Sequence, residues 1–226
     1  MYALRIRRIL FSALVASTLV VLSVSQGGVL AAPDRGVANP GFLSSQQLNA
    51  FEAQQKAAVE YQATVNALDP YVVRSGNGTL SLTPPGYVVR ELNSTYVAQL
   101  QAGLTVLNGQ IRAGSLRTTQ DHRVYDPTDT SLSIQGGWTG HTYTWWGVRY
   151  FLGETNTLHL EGLLTMGASA AAIGAFLCGA TGVGALVFGV IAAVLGFSIG
   201  WMMYVDNGNG IIINAPYVGG VWLQGQ

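Results

Sequence analysis

Apolar and polar positions follow a helical rhythm in the first half of this chain and lose all rhythm in the second. Leu48, Phe51, Ala58, Val65 and Leu68 recur at helical spacing, which predicts a helix that starts at the capping pair Ser44-Ser45 and runs through Ala67. Its Gln- and Ala-rich outer face reads as solvent-exposed. Asp69-Pro70 ends it. Two short β-rich runs, 71–74 and 79–82, flank Ser75-Gly76-Asn77-Gly78, residues that tolerate the positive φ of a tight hairpin. Pro84-Pro85-Gly86 breaks the pattern. Val97, Leu100, Leu104, Leu107 and Ile111 then alternate i+3 and i+4, predicting a second amphipathic helix capped by Asn93 or Ser94 and closed by Gly114.

Residues 115–137 are polar, hold an excess of Asp, and read as a linker or surface loop. From Trp138 the chain changes character. Residues 142–152 are dense in aromatic and β-branched side chains, as strands are; their apolar phase slips at Trp145-Trp146, which predicts a bulge near Gly147. Between Glu161 and Asp206 there is then no Asp, Glu, Lys, Arg or His. A glycine-dense break, residues 178–184, divides this run. About 20 mostly apolar residues suffice to span a bilayer, so the run predicts a hydrophobic helical hairpin over 158–205: one helix over 158–177, the other over 185–204. Thr155 or Asn156 would cap the first. The turn Asp206-Asn207-Gly208-Asn209-Gly210 follows, then a short strand over 211–214 and an extended piece over 217–223. Pairing 211–214 with 146–152 would tie both feet of the hairpin together.

Composition sharpens this. Only 10% of the 226 residues are charged, against about 25% in ordinary globular chains, so a membrane, a partner or very complete burial has to account for the deficit. Arg5, Arg7 and Arg8 precede the apolar stretch 9–24, and Val29-Leu30-Ala31 supplies small residues; residues 1–31 read as a secretory signal cut after Ala31, and 32–43 as a flexible lead. The secreted chain would carry eight basic and eleven acidic side chains. That mild acidity excludes the basic face a nucleic-acid partner calls for. With Cys178 alone there is no disulfide framework.

Catalytic chemistry finds little support. Residues 179–184 space their glycines wrongly for a dinucleotide-binding turn and sit between helical flanks. Gly167-Ala168-Ser169-Ala170 lacks the second glycine of a nucleophile elbow. His122, His141 and His159 have no zinc spacing, and Asp121, Asp126 and Asp129 no calcium-loop pattern. Enzyme is the least supported class, and no metal or cofactor is expected.

The hairpin itself carries the candidate site. Ala192, Gly196 and Gly200 form a small-xxx-small ridge for close helix packing. Trp145, Trp146, Trp201 and Tyr204 would place aromatic rings at one membrane interface. The Trp-Trp-Gly strand at 145–147, the Gly/Ala-rich hairpin and the 206–210 turn together resemble uncharacterised secreted proteins of Gram-positive-type bacteria. More loosely, the hairpin is similar to those of pore-forming colicins and to Gly/Ala-rich bacteriocins, and Gly136-Gly137 resembles a double-glycine leader boundary. That resemblance implies membrane activity, although bacteriocins are usually cationic and this segment is slightly acidic.

The sequence thus predicts an α+β protein with an N-terminal helix/β-hairpin/helix module at 44–114 and a C-terminal domain at 138–226. Its expected function is a secreted protein that inserts the hairpin into a lipid bilayer and self-associates there. The alternative is a soluble extracellular or cell-envelope binding or structural protein with the hairpin as buried core and Trp138, Tyr217 and Trp222 free to contact a partner.

Overall fold

The computed structural model describes residues 44–128, 139–182, 188–197 and 199–226. The predicted signal and lead over 1–43, the 129–138 part of the predicted linker with Trp138, residues 183–187 with the end of the predicted 178–184 break, and residue 198 lie outside the described residues. The fold is α+β, with seven α-helices and small antiparallel sheets among the described residues. The described residues all belong to one compact unit.

Helix α1 (Ser45–Leu68) begins where the sequence places it. The Ser44 hydroxyl accepts from the Gln47 amide and the Gln47 side chain reaches back to the Ser44 amide, so two free first-turn donors are satisfied reciprocally. Strands β1 (Val72–Arg74) and β2 (Leu80–Leu82) pair antiparallel across the expected turn. The short helix α2 (Gly86–Glu91) starts from Pro85, in a stretch whose Pro-Pro-Gly signature hides it. Helix α3 (Ser94–Arg112) is capped by the Asn93 side chain on the Thr95 amide. It ends with Gly114 at φ +80°, the Gly114 amide on the Ile111 carbonyl and the Ser115 amide on Gln110, a closure that only a left-handed residue permits without strain. Part of the linker is structured after all. Strands β3 (Arg117–Thr118) and β4 (Val124–Tyr125) pair, and Leu116 and Val124, isolated apolar residues in a polar stretch, are buried in the N-terminal core.

The C-terminal half is built on a four-stranded antiparallel sheet, β5 (Gly140–Tyr143), β6 (Gly147–Leu152), β7 (Ile211–Pro216) and β8 (Trp222–Gly225), in sequence order. Pairing of 211–214 with the aromatic strand occurs as the closure predicts, with Leu152 opposite Ile211. The phase slip at Trp145-Trp146 is not a bulge but a reversal. Thr144 and Gly147 hydrogen-bond across it, and the single predicted strand becomes the β5–β6 hairpin. Gly147 is required there, because a Cβ would meet the Ala215 carbonyl and sit 2.6 Å from Pro216 Cα.

One face of the sheet, with Val148, Tyr150, Leu152, Ile211, Ile213, Ala215 and Leu223, packs beneath the helices of the apolar run. Trp145, Trp146 and Trp222 instead join the core of α1 and α3. Helix α1 runs past the β8 edge, where the Gln54 and Gln55 side chains donate to the Val221 and Leu223 carbonyls at 2.9 and 3.1 Å. These two glutamines therefore serve the sheet rather than the solvent, and cover an edge that would otherwise present unpaired carbonyls.

Candidate functional site

The predicted hairpin does not form two long helices. Its described helical residues fall in α4 (Glu154–Thr165), α5 (Ala170–Thr181), α6 (Phe188–Gly196) and α7 (Ile199–Val205). The first break is local chemistry. Gly167 adopts φ +69°, its amide bonds the Leu164 carbonyl and the Ala168 amide bonds Leu163, a closed C-terminal motif. Two residues later the Ser169 hydroxyl caps α5 through the Ala172 amide. Gly182, also left-handed, closes α5. A 12-residue helix is roughly 18 Å long, well short of a bilayer's hydrocarbon core of about 30 Å. Among the described residues no helix is long and apolar enough to cross a membrane. The expected helix over 158–177 is replaced by parts of α4 and α5, and the described part of the expected 185–204 helix by α6 and α7. Gly153, not Thr155 or Asn156, stands at the N-cap of α4.

The four helices lie as a layer over the sheet. Leu160, Ile173, Leu177, Val194 and Met202 point inward and have no exposed surface. Helices α5 and α6 touch where Gly174 admits Ile191; a Cβ at Gly174 would lie 2.8 Å from Ile191 Cδ1. Beyond Glu154 and His159 of α4, the outer surface is Ala, Gly, Ser and Thr, with Leu158, Met166, Leu195, Met203 and Tyr204 exposed by 43–76%. It contains no charge from Gly162 to Val205.

The anticipated interface aromatics do not act together. Trp145 and Trp146 are each 6% exposed. The Trp145 indole donates to Asp69 Oδ1 at 2.7 Å, and Trp146 stacks on Trp222 at 5.7 Å with Tyr61 beside both. Aromatic density in a strand predicts a site as well as a core, and here two of the four rings went to the core. Trp201 and Tyr204 do come together, both against Phe51 of α1. Trp201 is half-buried, and Tyr204 is 69% exposed. The ridge is also redistributed. Ala192 and Gly196 face outward on α6, with nothing within 4 Å of a Cβ at Gly196, and Gly200 lies beyond the helix break on α7. Gly174, which does make the close helix contact, was hidden among many equivalent small residues.

Charge enters the layer at Glu154 and Glu161 of α4 and borders it at Asp206. Burial, and next the nearby Asp206 carboxylate, hold the Glu161 carboxyl above its ordinary pKa. Asp206 Oδ1 accepts the Gly208 and Gly210 amides, both at 2.9 Å, and so fixes the turn that returns the chain to β7. His141 is buried with Nδ1 2.9 Å from the Thr181 carbonyl, and His159 lies against Phe176. Among the described residues no three His, Cys, Asp or Glu gather in a way that could hold a metal. The free Cys178 is half-buried in α5. Comparison with known family models, curated proteins and solved structures found no match, so the fold and surface chemistry must carry the functional argument.

Proposed function

We propose that this is a secreted, membrane-active protein that meets a lipid bilayer through the outer face of the α4–α7 layer. The observation that carries the reading is that face: from Gly162 to Val205 it has no charged side chain, with Glu154 and Glu161 confined to α4, and it exposes Met166, Leu195, Met203 and Tyr204. An extracellular surface of this kind gains nothing from water, whereas apolar side chains with an aromatic at the rim suit the headgroup–acyl boundary. Docking flat is the first step, since the helices are short. Insertion would follow by straightening α4 with α5 and α6 with α7 while the Leu152–Ile211 pairing holds both ends to the sheet. Exposing the five inward side chains to water would cost about 1.5–3 kcal/mol each, on the order of 10 kcal/mol in all. The layer therefore stays closed in solution and opens only where lipid replaces the sheet. Once open, the small-residue surface with Ala192 and Gly196 would support self-association.

The test is flotation of the purified protein with liposomes, together with dye release. Flotation with release supports insertion, and flotation without it limits the protein to surface docking. Protein that remains with the soluble fraction at micromolar concentration ends the reading. A second reading has its own observation: the inward stripe is already as enclosed as any core. On that reading the protein is a soluble extracellular or envelope binding module, and it would unfold cooperatively as a detergent-free monomer indifferent to lipid.

A further inference from the structure

The strands β5–β8 contain no Asp or Glu and one formal cation, Arg149. Register places Thr142, Arg149, Asn214 and Trp222 in a single row across the sheet. Successive strand residues alternate faces, so this row lies opposite Val148, Tyr150 and Ile213, which pack under α4–α7. Arg149 is half-buried, and its Nε donates to Asn214 Oδ1 at 3.2 Å. Its guanidinium carbon sits 5.2 Å from the centroid of the Phe151 ring. Burial lowers the pKa of this guanidinium, a sign that its charge has lost water. Among the described residues no carboxylate pairs with it.

Asn214 is 1% exposed, and among the described residues its Nδ2 has no hydrogen-bond partner. A buried amide donor left unmade is costly, and arginines that lose hydration are ordinarily matched by an anion. The cross-strand bond accounts for Arg149 Nε and Asn214 Oδ1. Among the described residues it leaves the two Arg149 Nη groups and Asn214 Nδ2 as donors without a protein acceptor, in one row.

We propose that this row binds a monoanionic carboxylate. The carboxylate oxygens accept from the Arg149 Nη groups and Asn214 Nδ2, the geometry guanidinium favours. One cation and one neutral amide match a monoanion; a phosphate dianion would keep a charge uncompensated. This site is independent of the lipid-facing layer, on the other side of the sheet, and its test uses no lipid.

The test is titration of the purified protein with benzoate in lipid-free buffer, read by calorimetry and by the Asn214 side-chain amide signal in NMR. Saturable binding that shifts this signal is expected, with benzamide and inorganic phosphate at least tenfold weaker at equal ionic strength. Arg149→Met should weaken benzoate at least tenfold. If that variant does not fold, Asn214→Asp serves in its place: it offers Arg149 an internal carboxylate and should abolish benzoate binding while raising the thermal midpoint. No saturable response to benzoate, phosphate binding as tight as benzoate, or undiminished affinity in the folded variants would overturn the site.

Discussion

Helices α3 and α5 do the same work on their inner faces and opposite work on their outer ones. Each commits a stripe to a core: Leu100, Leu104 and Leu107 in α3, Ile173 and Leu177 in α5. Outside, α3 shows Gln101, Thr105 and Arg112, while α5 shows Ala171, Ala172, Ala175 and Gly179. Water is a good partner for the first surface and an indifferent one for the second. Burial therefore does not distinguish the two halves of the molecule, and a count of core residues would make them equivalent. What sets the C-terminal layer apart is the face that the fold leaves uncovered.

The largest expected effect comes from the hinge that holds that layer in place. Gly210 has φ +96°, and a Cβ there would meet the Leu152 carbonyl and lie 2.8 Å from Gly153 Cα. Gly210→Ala should cost about 3–5 kcal/mol, adding left-handed strain to overpacking. Hydrogen exchange should show the loss concentrated in α4–α7 and β7 rather than in α1 and α3. Equal loss in both halves would show that they do not differ in how they are held.

Next come the two inner faces. Leu107 and Leu177 are both 0% exposed, so Leu107→Ala and Leu177→Ala should each cost about 2–5 kcal/mol in urea unfolding. A much smaller value for Leu177→Ala would mean the layer is only loosely seated.

The outer faces should part company. Ala102 of α3 and Ala175 of α5 are both exposed, and Asp at either costs about 0.5 kcal/mol of helix propensity. Only Ala175→Asp should reduce liposome binding, and by more than half; equal effects at the two sites would erase the proposed difference.

The smallest effect is electrostatic. The folded-state pKa of Glu161 is raised by burial first and Asp206 second, so the fold favours its protonated form. Its stabilising contribution is complete below the ordinary carboxylate pKa and declines as pH rises through the raised value. Glu161→Gln should then be more stable than the wild type at pH 7, with the gap closing on acidification, as urea midpoints at pH 7 and pH 4 would show. Acid tightens the layer through this residue rather than releasing it.

Much of the N-terminal half was legible because polar residues punctuate it: Ser44, Asn93 and Gly114 mark helix ends against a clear period. In the apolar run that contrast is missing. Gly167 and Ser169 are a sound stop and start signal, but among so many small residues they read as part of one long helix. Trp145-Trp146 disturbed the strand phase, and phase alone does not tell a bulge from a reversal. Nor does aromatic density say which rings face a membrane; that needed Tyr61 and Asp69, roughly 80 residues upstream. The Arg149–Asn214 row depends on register between strands some 60 residues apart, which no local pattern encodes. The pairing of the hairpin's feet was legible only because one strand on each side was available to make it.

The most direct measurement is flotation of the purified wild-type protein with liposomes in detergent-free buffer, beside an Ala175→Asp/Leu195→Asp double variant. If the uncharged outer face meets lipid, the wild type rises with the vesicles, and the variant stays below at nearly the same unfolding midpoint. A wild type that remains in solution, or a variant that floats equally well, would contradict that claim.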